Sequence, residues 1–124
     1  YETHDIRGMV YDPKEAPLLI RDVDEKLGID CFPFKQSMEN YHEPTDNYEG
    51  GVRSQTMLHP KHPILSWQAK HAILASSTHD RKKPIKPDAE GQPHKTVDGV
   101  QAAIMAFSQA RLHEEQELVI YALD

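Results

Sequence analysis

A strand–helix–strand pattern in the first third of the chain constrains its fold more than any other feature. Residues 6–11 are mostly apolar or β-favouring and stop at Asp-Pro, which predicts a short strand followed by a helix start. Over residues 15–27 apolar side chains recur at three- and four-residue spacing, and Gly28 suits the end of a helix. Residues 29–34 predict a second strand. Because strands joined through a helix form a parallel pair, the prediction is an α/β fold with a short, mostly parallel sheet flanked by helices.

Two of the predicted helices have an apolar face that is expected to be buried. In the first helix the face is formed by Ala16, Leu19, Ile20, Val23 and Leu27. In the last helix, predicted over residues 99–115, it is formed by Val100, Ala103, Ile104, Phe107 and Ala110. Both sets follow the helical period of 3.6 residues, which is typical of helices that pack against a core.

The middle of the chain predicts shorter elements. Residues 36–44 are polar and turn-like, and a second helix is predicted over residues 45–58, weakened by two adjacent glycines. A short helix follows a Pro-rich break and contains Trp67, which is expected to anchor the core rather than stack on a base. Residues 72–75 predict a third strand, and residues 76–96 predict a long polar loop of the functional or mobile kind.

Length and composition favour a single domain. A chain of 124 residues can bury one core, and we expect one domain portion over residues 1–113 followed by a C-terminal strand or tail over residues 114–124. No apolar run approaches membrane-spanning length. The single Cys31 excludes an internal disulfide and is expected to be buried in a strand. A formal charge of −6 argues against simple electrostatic wrapping of nucleic acid, but not against a nuclease whose metal ions supply positive charge.

Two aspartates stand where α/β proteins place their functional sites. Asp12 closes the first strand and Asp98 opens the last helix, so both can lie at the carboxyl end of the strands. Their oxygens suit Mg²⁺ or Mn²⁺, and two such ions can stabilise the attacking and leaving oxygens of phosphodiester hydrolysis. Each aspartate also suits a helix N-cap, with Pro13 and Glu15 completing the pattern after Asp12. From spacing alone, capping is the favoured interpretation and metal binding is the alternative.

Two further polar clusters carry weaker signals. The histidines nearest to one another are His59, His62 and His71. Because no cysteine accompanies them and no His-Glu-x-x-His helix is present, they are interpreted as surface histidines rather than zinc ligands. The basic residues of the long loop are Arg81, Lys82, Lys83 and Lys86. They can track a phosphate backbone, but the absence of interleaved aromatics favours a solvated loop.

Several segments, read in order, resemble the nuclease domain of phage terminase large subunits. Residues 10–13 read Val-Tyr-Asp-Pro, as in the middle of that domain. Residues 62–67 read His-Pro-Ile-Leu-Ser-Trp, where the family has Asn-Pro-Val-Leu-Arg-Trp. Residues 85–88 read Ile-Lys-Pro-Asp, as the family does, and residues 97–100 read Val-Asp-Gly-Val, where the family has Ile-Asp-Gly-Ile. The resemblance extends over roughly residues 7–110 in order and spacing.

The resemblance implies a partial RNase H-like fold that holds two Mg²⁺ or Mn²⁺ ions through acidic residues and cleaves DNA by activating water. It implies that Asp12 and Asp98 are catalytic metal ligands and that Asp88 is a further candidate ligand. The family's first catalytic acid lies on an earlier strand, so the chain is expected to hold two of three acids and to be incomplete as an enzyme. The alternative is a catalytically inactive RNase H-like scaffold that binds DNA or other proteins.

The resemblance also implies a setting and partners. The parent protein is expected to cut concatemeric viral DNA during genome packaging in the cytoplasm of the bacterial host. No association with a membrane is expected. Expected partners are double-stranded DNA, the terminase small subunit, the portal protein and an ATPase domain of the same parent chain. Two departures affect the expected substrate contacts: Lys14 replaces a family aromatic residue, and His62 replaces an asparagine.

Overall fold

The computed structural model describes residues 4–59, 61–87 and 95–123. Within these ranges the elements, in chain order, are β1 (Met9–Tyr11), α1 (Pro17–Leu27), β2 (Cys31–Pro33), α2 (Met38–Arg53), α3 (Pro63–His71), β3 (Ile73–Ser76), β4 (Lys82–Ile85) and α4 (Asp98–Leu123). The chain divides into a first unit, Tyr1–Gln36, and a second unit, Ser37–Asp124. None of the helices in the described ranges is long and apolar enough to cross a membrane.

The first unit contains the predicted strand–helix–strand pattern. β1 and β2 pair in parallel, with Met9 opposite Cys31 and Tyr11 opposite Pro33, which confirms the predicted parallel pair. α1 ends where Gly28 adopts a left-handed backbone with φ of 61°, and the Gly28 N–H donates to the carbonyl of Asp24. Glycine is favoured at this position because a Cβ atom makes the left-handed conformation costly.

The predicted buried face of α1 is only partly confirmed. Ile20 is buried and Ala16 and Val23 are half-buried, whereas Leu19 and Leu27 are 57% and 46% exposed. A pair of three-residue strands is too narrow to cover the whole apolar stripe of an eleven-residue helix. The predicted full burial of Cys31 is also wrong, because this residue is only half-buried.

The second unit begins with a helix that is longer than predicted. α2 starts at Met38, in the segment predicted to be a turn, because the Ser37 Oγ accepts a hydrogen bond from the Asn40 N–H at 3.2 Å and so caps the helix. Pro44 lies inside α2, where its missing N–H leaves one helical hydrogen bond unmade. The helix continues past this point and through both glycines to Arg53.

An antiparallel hairpin replaces much of the predicted long loop. β3 confirms the third predicted strand, and β4 pairs with it so that Ile73 lies opposite Ile85 and Ser76 opposite Lys82. The turn between them is closed by a hydrogen bond from the Ser77 N–H to the carbonyl of Arg81 at 2.9 Å. The prediction of a mostly parallel sheet is therefore wrong: the described strands form one parallel pair and one antiparallel pair.

The core of the second unit lies between α2, β4 and α4. Its buried apolar side chains are Tyr41, Pro84, Val97, Val100, Ile104 and Met105. α2 approaches α4 closely at Gly51, where an added Cβ would lie 3.0 Å from the Phe107 ring. The predicted inner face of the last helix is thus confirmed at Val100 and Ile104. The backbone of α4 continues as helix to Leu123, so the predicted C-terminal strand is wrong.

α3 does not place its tryptophan in the core, contrary to the prediction. The Trp67 side chain is 38% exposed, and its ring lies 5.0 Å from the His71 ring. The inward face of α3 is formed instead by Leu65 and Gln68, which lie next to Gly99 at the start of α4. Residues 65 and 68 share a helical face that residue 67 does not, which explains the exposure of the indole.

Candidate functional site

Asp12 lies directly after β1, at the carboxyl end of the parallel pair, as predicted. Its Oδ1 accepts a hydrogen bond from the Lys14 N–H at 2.9 Å, and its carbonyl accepts one from the Glu15 N–H at 3.3 Å. Aspartate commonly closes a turn on its own backbone in this way. The turn engages one of the two carboxylate oxygens, so the other remains available as an oxygen ligand.

Asp12 does not cap α1, contrary to the favoured prediction. The helix begins at Pro17, and its N-cap Ala16 makes no side-chain capping hydrogen bond. A helix starting at Pro13 would need Ala16 in helical conformation, which is disfavoured before a proline. The Pro17 ring would also clash with the carbonyl four residues earlier. The second proline therefore moves the helix start away from Asp12.

Asp98 is the first residue of α4, as predicted, and it is exposed. It lines a depression of about 450 Å³ in the second unit. The other lining residues are Lys83, Ile85, Lys86, Thr96, Val97 and Gln101. Among the described parts of the chain, no residue forms a hydrogen bond or an ion pair with the Asp98 carboxylate. The carboxylate is therefore available to a ligand in a depression that also contains two lysines.

Asp98 does not cap its helix either, because a residue from α3 takes that role. The Gln68 Oε1 accepts a hydrogen bond from the Gly99 N–H at 2.7 Å, and the Gln68 Nε2 donates to the Thr96 Oγ1 at 3.1 Å. Gln68 is 8% exposed. No sequence signal pointed to this residue, because its partners lie about thirty positions away and a glutamine within a helix follows no capping pattern.

The four basic residues predicted to contact DNA lie on or beside β4 rather than in a loop. Three of them have partners in α2: Lys82 Nζ lies 3.1 Å from Asp46 Oδ1, Arg81 Nη2 lies 3.9 Å from Glu39 Oε1, and Lys83 Nζ lies 5.0 Å from the Tyr41 ring centroid. The fourth, Lys86, lines the depression that contains Asp98. The structure therefore brings Lys83 and Lys86 together with Asp98 and turns Lys82 towards α2.

The described residues do not assemble a complete metal site. Asp12 and Asp98 each present a carboxylate oxygen of the type that Mg²⁺ and Mn²⁺ prefer, so each fits the role of one ligand. Within residues 4–59, 61–87 and 95–123, no group of three or more His, Cys, Asp or Glu side chains could hold an ion. The remaining predicted ligand, Asp88, lies outside the described residues.

The histidines considered for zinc make local hydrogen bonds. His59 Nδ1 accepts from the Lys61 N–H at 3.2 Å, and His62 Nδ1 accepts from the Ile64 N–H at 3.3 Å, which caps α3. His71 Nδ1 lies 2.8 Å from the carbonyl of Trp67. Each of these three imidazoles thus has a structural partner close to it in the chain.

The fold is similar to part of a bacteriophage large terminase. The crystal structure of the HK97 bacteriophage large terminase superposes with a TM-score of 0.69 over 86% of this chain and 22% of that chain, at 22% sequence identity. Protein YmfN of Escherichia coli (strain K12) is 29% identical over 84 residues, which cover 66% of this chain and 18% of YmfN. No protein-family model matches. The chain therefore spans about a fifth of each protein, and it shares with the terminase a small α/β fold.

Proposed function

We propose that this chain is part of the RNase H-like nuclease domain of a phage terminase large subunit, and that Asp12 and Asp98 supply carboxylate ligands for DNA cleavage. Bound Mg²⁺ or Mn²⁺ would stabilise charge on the oxygens of the cleaved phosphodiester. The protein would cut concatemeric viral DNA during packaging in the bacterial cytoplasm. Its partners would be the small subunit, the portal protein and the ATPase part of the same protein.

The availability of the Asp98 carboxylate is the observation that carries this proposal. An aspartate at a helix start usually bonds to the free amides of its own helix, but here Gln68 accepts from one of these amides, that of Gly99, and Asp98 from none. With no hydrogen bond or ion pair to a described residue, the exposed Asp98 carboxylate is available to bind a cation.

The lysines beside Asp98 support DNA as the substrate. Lys83 and Lys86 line the same depression as Asp98, and the Lys83 Nζ lies over the Tyr41 ring, so both lysines belong to the surface around the proposed ligand. Phosphate groups are commonly bound by lysine, and each such contact contributes to affinity in a salt-dependent way. Arg81 and Lys82, which interact with α2, would contribute less, because DNA would have to compete with Glu39 and Asp46.

The proposal is tested by substituting the two aspartates in the complete natural protein. Asp98→Asn and Asp12→Asn preserve side-chain size but weaken metal binding, so we expect plasmid cleavage in Mg²⁺ or Mn²⁺ to fall by at least about 100-fold. Asp80→Asn is the matched control: it removes one carboxylate of the second unit, at a left-handed turn position that asparagine tolerates. Cleavage at the wild-type rate by Asp98→Asn would contradict the proposal.

A second candidate function is an RNase H-like scaffold that binds DNA or packaging proteins without cutting. It requires only the depression lined by Lys83 and Lys86 and no metal ligands. The two candidates separate when binding and cleavage are measured on the same DNA. Binding with no metal-dependent cleavage by the complete protein supports the scaffold, whereas cleavage that depends on Asp98 supports the nuclease.

A further inference from the structure

Gln68 holds the chain on both sides of Asp98. Its Oε1 accepts from the Gly99 N–H at 2.7 Å, and its Nε2 donates to the Thr96 Oγ1 at 3.1 Å. Because an N–H can only donate, the bond to Gly99 fixes which end of the amide faces α4. Val97, between the two anchor points, is 3% exposed. The backbone next to the exposed Asp98 carboxylate is therefore held on both sides.

Gly99 leaves room for the Gln68 amide because it has no side chain. A Cβ atom at position 99 would lie 2.5 Å from the Gln68 Oε1 and 3.5 Å from the Leu65 Cδ1. The first distance is too short for a carbon atom against a non-bonded oxygen, so a side chain at residue 99 would displace the Gln68 amide. Since Gln68 is 8% exposed, its side chain has little room to move aside. The glycine and the glutamine therefore form one interlocked contact.

We infer that Gln68 is a positioning residue for Asp98: it caps α4 in place of the aspartate and so leaves the Asp98 carboxylate free to face the depression. The catalytic part of this inference rests on the proposed function. Without the Gln68 acceptor, the Gly99 N–H loses its partner, and no other described side chain accepts from the first turn of α4. An aspartate at a helix start commonly accepts from amides two or three residues ahead of it, so Asp98 would then turn towards its own helix.

The test compares two cap deletions in the complete natural protein. Gln68→Met removes both hydrogen bonds but keeps most of the side-chain volume, so it separates capping from packing. Ser37→Ala is the matched control, because it deletes the side-chain cap of α2 without altering the region of Asp98. The measurements are amide hydrogen exchange at residue 99, melting temperature, and kcat and KM for cleavage of DNA.

The expected results differ between the two variants. Gln68→Met is expected to increase the exchange rate of the Gly99 amide by about tenfold. It should also lower kcat by about 10–100-fold with little change in KM, as for residues that orient a ligand. Both variants lose a helix cap and should therefore have a lower melting temperature than the wild-type protein. Ser37→Ala should leave the Gly99 exchange rate and kcat unchanged. Gln68→Glu keeps the acceptor for Gly99 and should restore part of the protection.

Failure of this inference is distinct from failure of the proposed function. If Asp98→Asn abolishes cleavage while Gln68→Met cleaves at the wild-type rate, the proposed nuclease function is still supported and the positioning role of Gln68 is overturned. If the Gly99 amide already exchanges at the unprotected rate in the wild-type protein, the cap itself is overturned. If the wild-type protein does not cleave, the proposed function is overturned, and Gln68 is reduced to a structural cap.

A double substitution tests the interlocked contact directly. Gly99→Ala should displace the Gln68 amide and give the same tenfold faster exchange at residue 99. Because both substitutions break one contact, adding Gln68→Met to Gly99→Ala should change kcat by less than about twofold further. Multiplicative effects of the two substitutions on kcat would overturn the assignment of Gln68 and Gly99 to a single positioning contact.

Discussion

The two units use helices of similar apolar spacing but bury them to different extents. In the first unit the described part of α1 buries only Ile20, whereas in the second unit α4 buries Val100, Ile104 and Met105. The difference lies in what each helix meets. α1 faces a pair of three-residue strands, while α4 packs against two helices, α2 and α3. An apolar stripe therefore becomes a core only when a surface of matching width covers it.

The largest expected effect comes from truncating the core of the second unit. Ile104 is 2% exposed, and Ile104→Ala should lower the free energy of unfolding by about 2–5 kcal/mol through lost burial and a residual cavity. Leu19→Ala in the first unit, where the side chain is 57% exposed, should cost less than about 1 kcal/mol. Urea denaturation followed by circular dichroism measures both. Equal losses would contradict the contrast between the two units.

The next effect comes from the close approach of α2 to α4. Gly51→Ala places a methyl group 3.0 Å from the Phe107 ring and 3.3 Å from the Met57 Cβ. We expect a loss of about 1–3 kcal/mol in the free energy of unfolding, because the packed helices must separate.

Gly50→Ala is the matched control for this substitution. A Cβ at residue 50 meets no atom within 4 Å, and alanine favours the helix, so the protein should gain about 0.5–1 kcal/mol in stability. Opposite signs for two neighbouring glycines in the same denaturation assay would confirm that packing, not helix propensity, requires Gly51. Stabilisation by both would show that the helices are not in close contact.

A smaller effect is expected at the end of α1. Gly28 has a φ of 61° but no atom near its missing Cβ, so its requirement is conformational and not steric. Gly28→Ala should cost about 1 kcal/mol, and Gly28→Asn should cost less, because asparagine tolerates the left-handed region. Thermal unfolding of the two variants measures the difference. An alanine variant as stable as the asparagine variant would contradict this reason.

The smallest effect is chemical and concerns the single cysteine. Partial burial and the carboxylates of Asp24 and Asp30 raise the pKa of the Cys31 thiol. The folded thiol is therefore less ionised than the unfolded thiol, and alkylation by iodoacetamide at pH 8 should be slower in the native protein than in urea. The stability that this shift contributes is present below the unfolded pKa and is lost as pH rises through the folded pKa.

The same alkylation measurement tests how stably β2 is packed in the first unit. A native pH profile shifted to higher pH confirms the packing around Cys31. Identical pH profiles in buffer and in urea would show that β2 opens faster than the thiol reacts, which would widen the contrast with the second unit.

Local signals predicted the elements whose ends are set by nearby residues. Gly28 marks the end of α1, the two strands around this helix pair in parallel, and α4 starts at Asp98. At Gly28 the deciding hydrogen bond lies within a few positions of the chain, and the parallel pairing follows from the helical connection. At Asp98 the local pattern located the helix start, although the cap comes from Gln68.

Prolines account for the main errors in the predicted elements. Pro44 ends the segment that was predicted to be a turn, yet it lies inside α2, and Pro84 stands in the predicted long loop, yet it is buried within β4. Tertiary contacts compensate in the second case: the Pro84 carbonyl accepts a hydrogen bond from the Gln101 Nε2 at 2.9 Å. A partner seventeen residues away cannot be inferred from local spacing.

The sequence predicted which aspartates form the candidate site, but not which residues cap the helices next to them. The positions of Asp12 after a strand and Asp98 at a helix start follow from the sequence. Their favoured capping roles do not hold, because Pro17 sets one helix start and Gln68 caps the other. The metal-binding role of Asp12, Asp98 and Asp88 stays a prediction.

The contact between Gln68 and Gly99 also couples the residues allowed at these two positions. A side chain at position 99 would displace the Gln68 amide, because its Cβ would otherwise lie 2.5 Å from the Gln68 Oε1. A residue 68 without a side-chain acceptor, in turn, leaves the Gly99 amide without its partner. A change at either position therefore alters what the other residue contributes, although the two lie 31 positions apart in the chain.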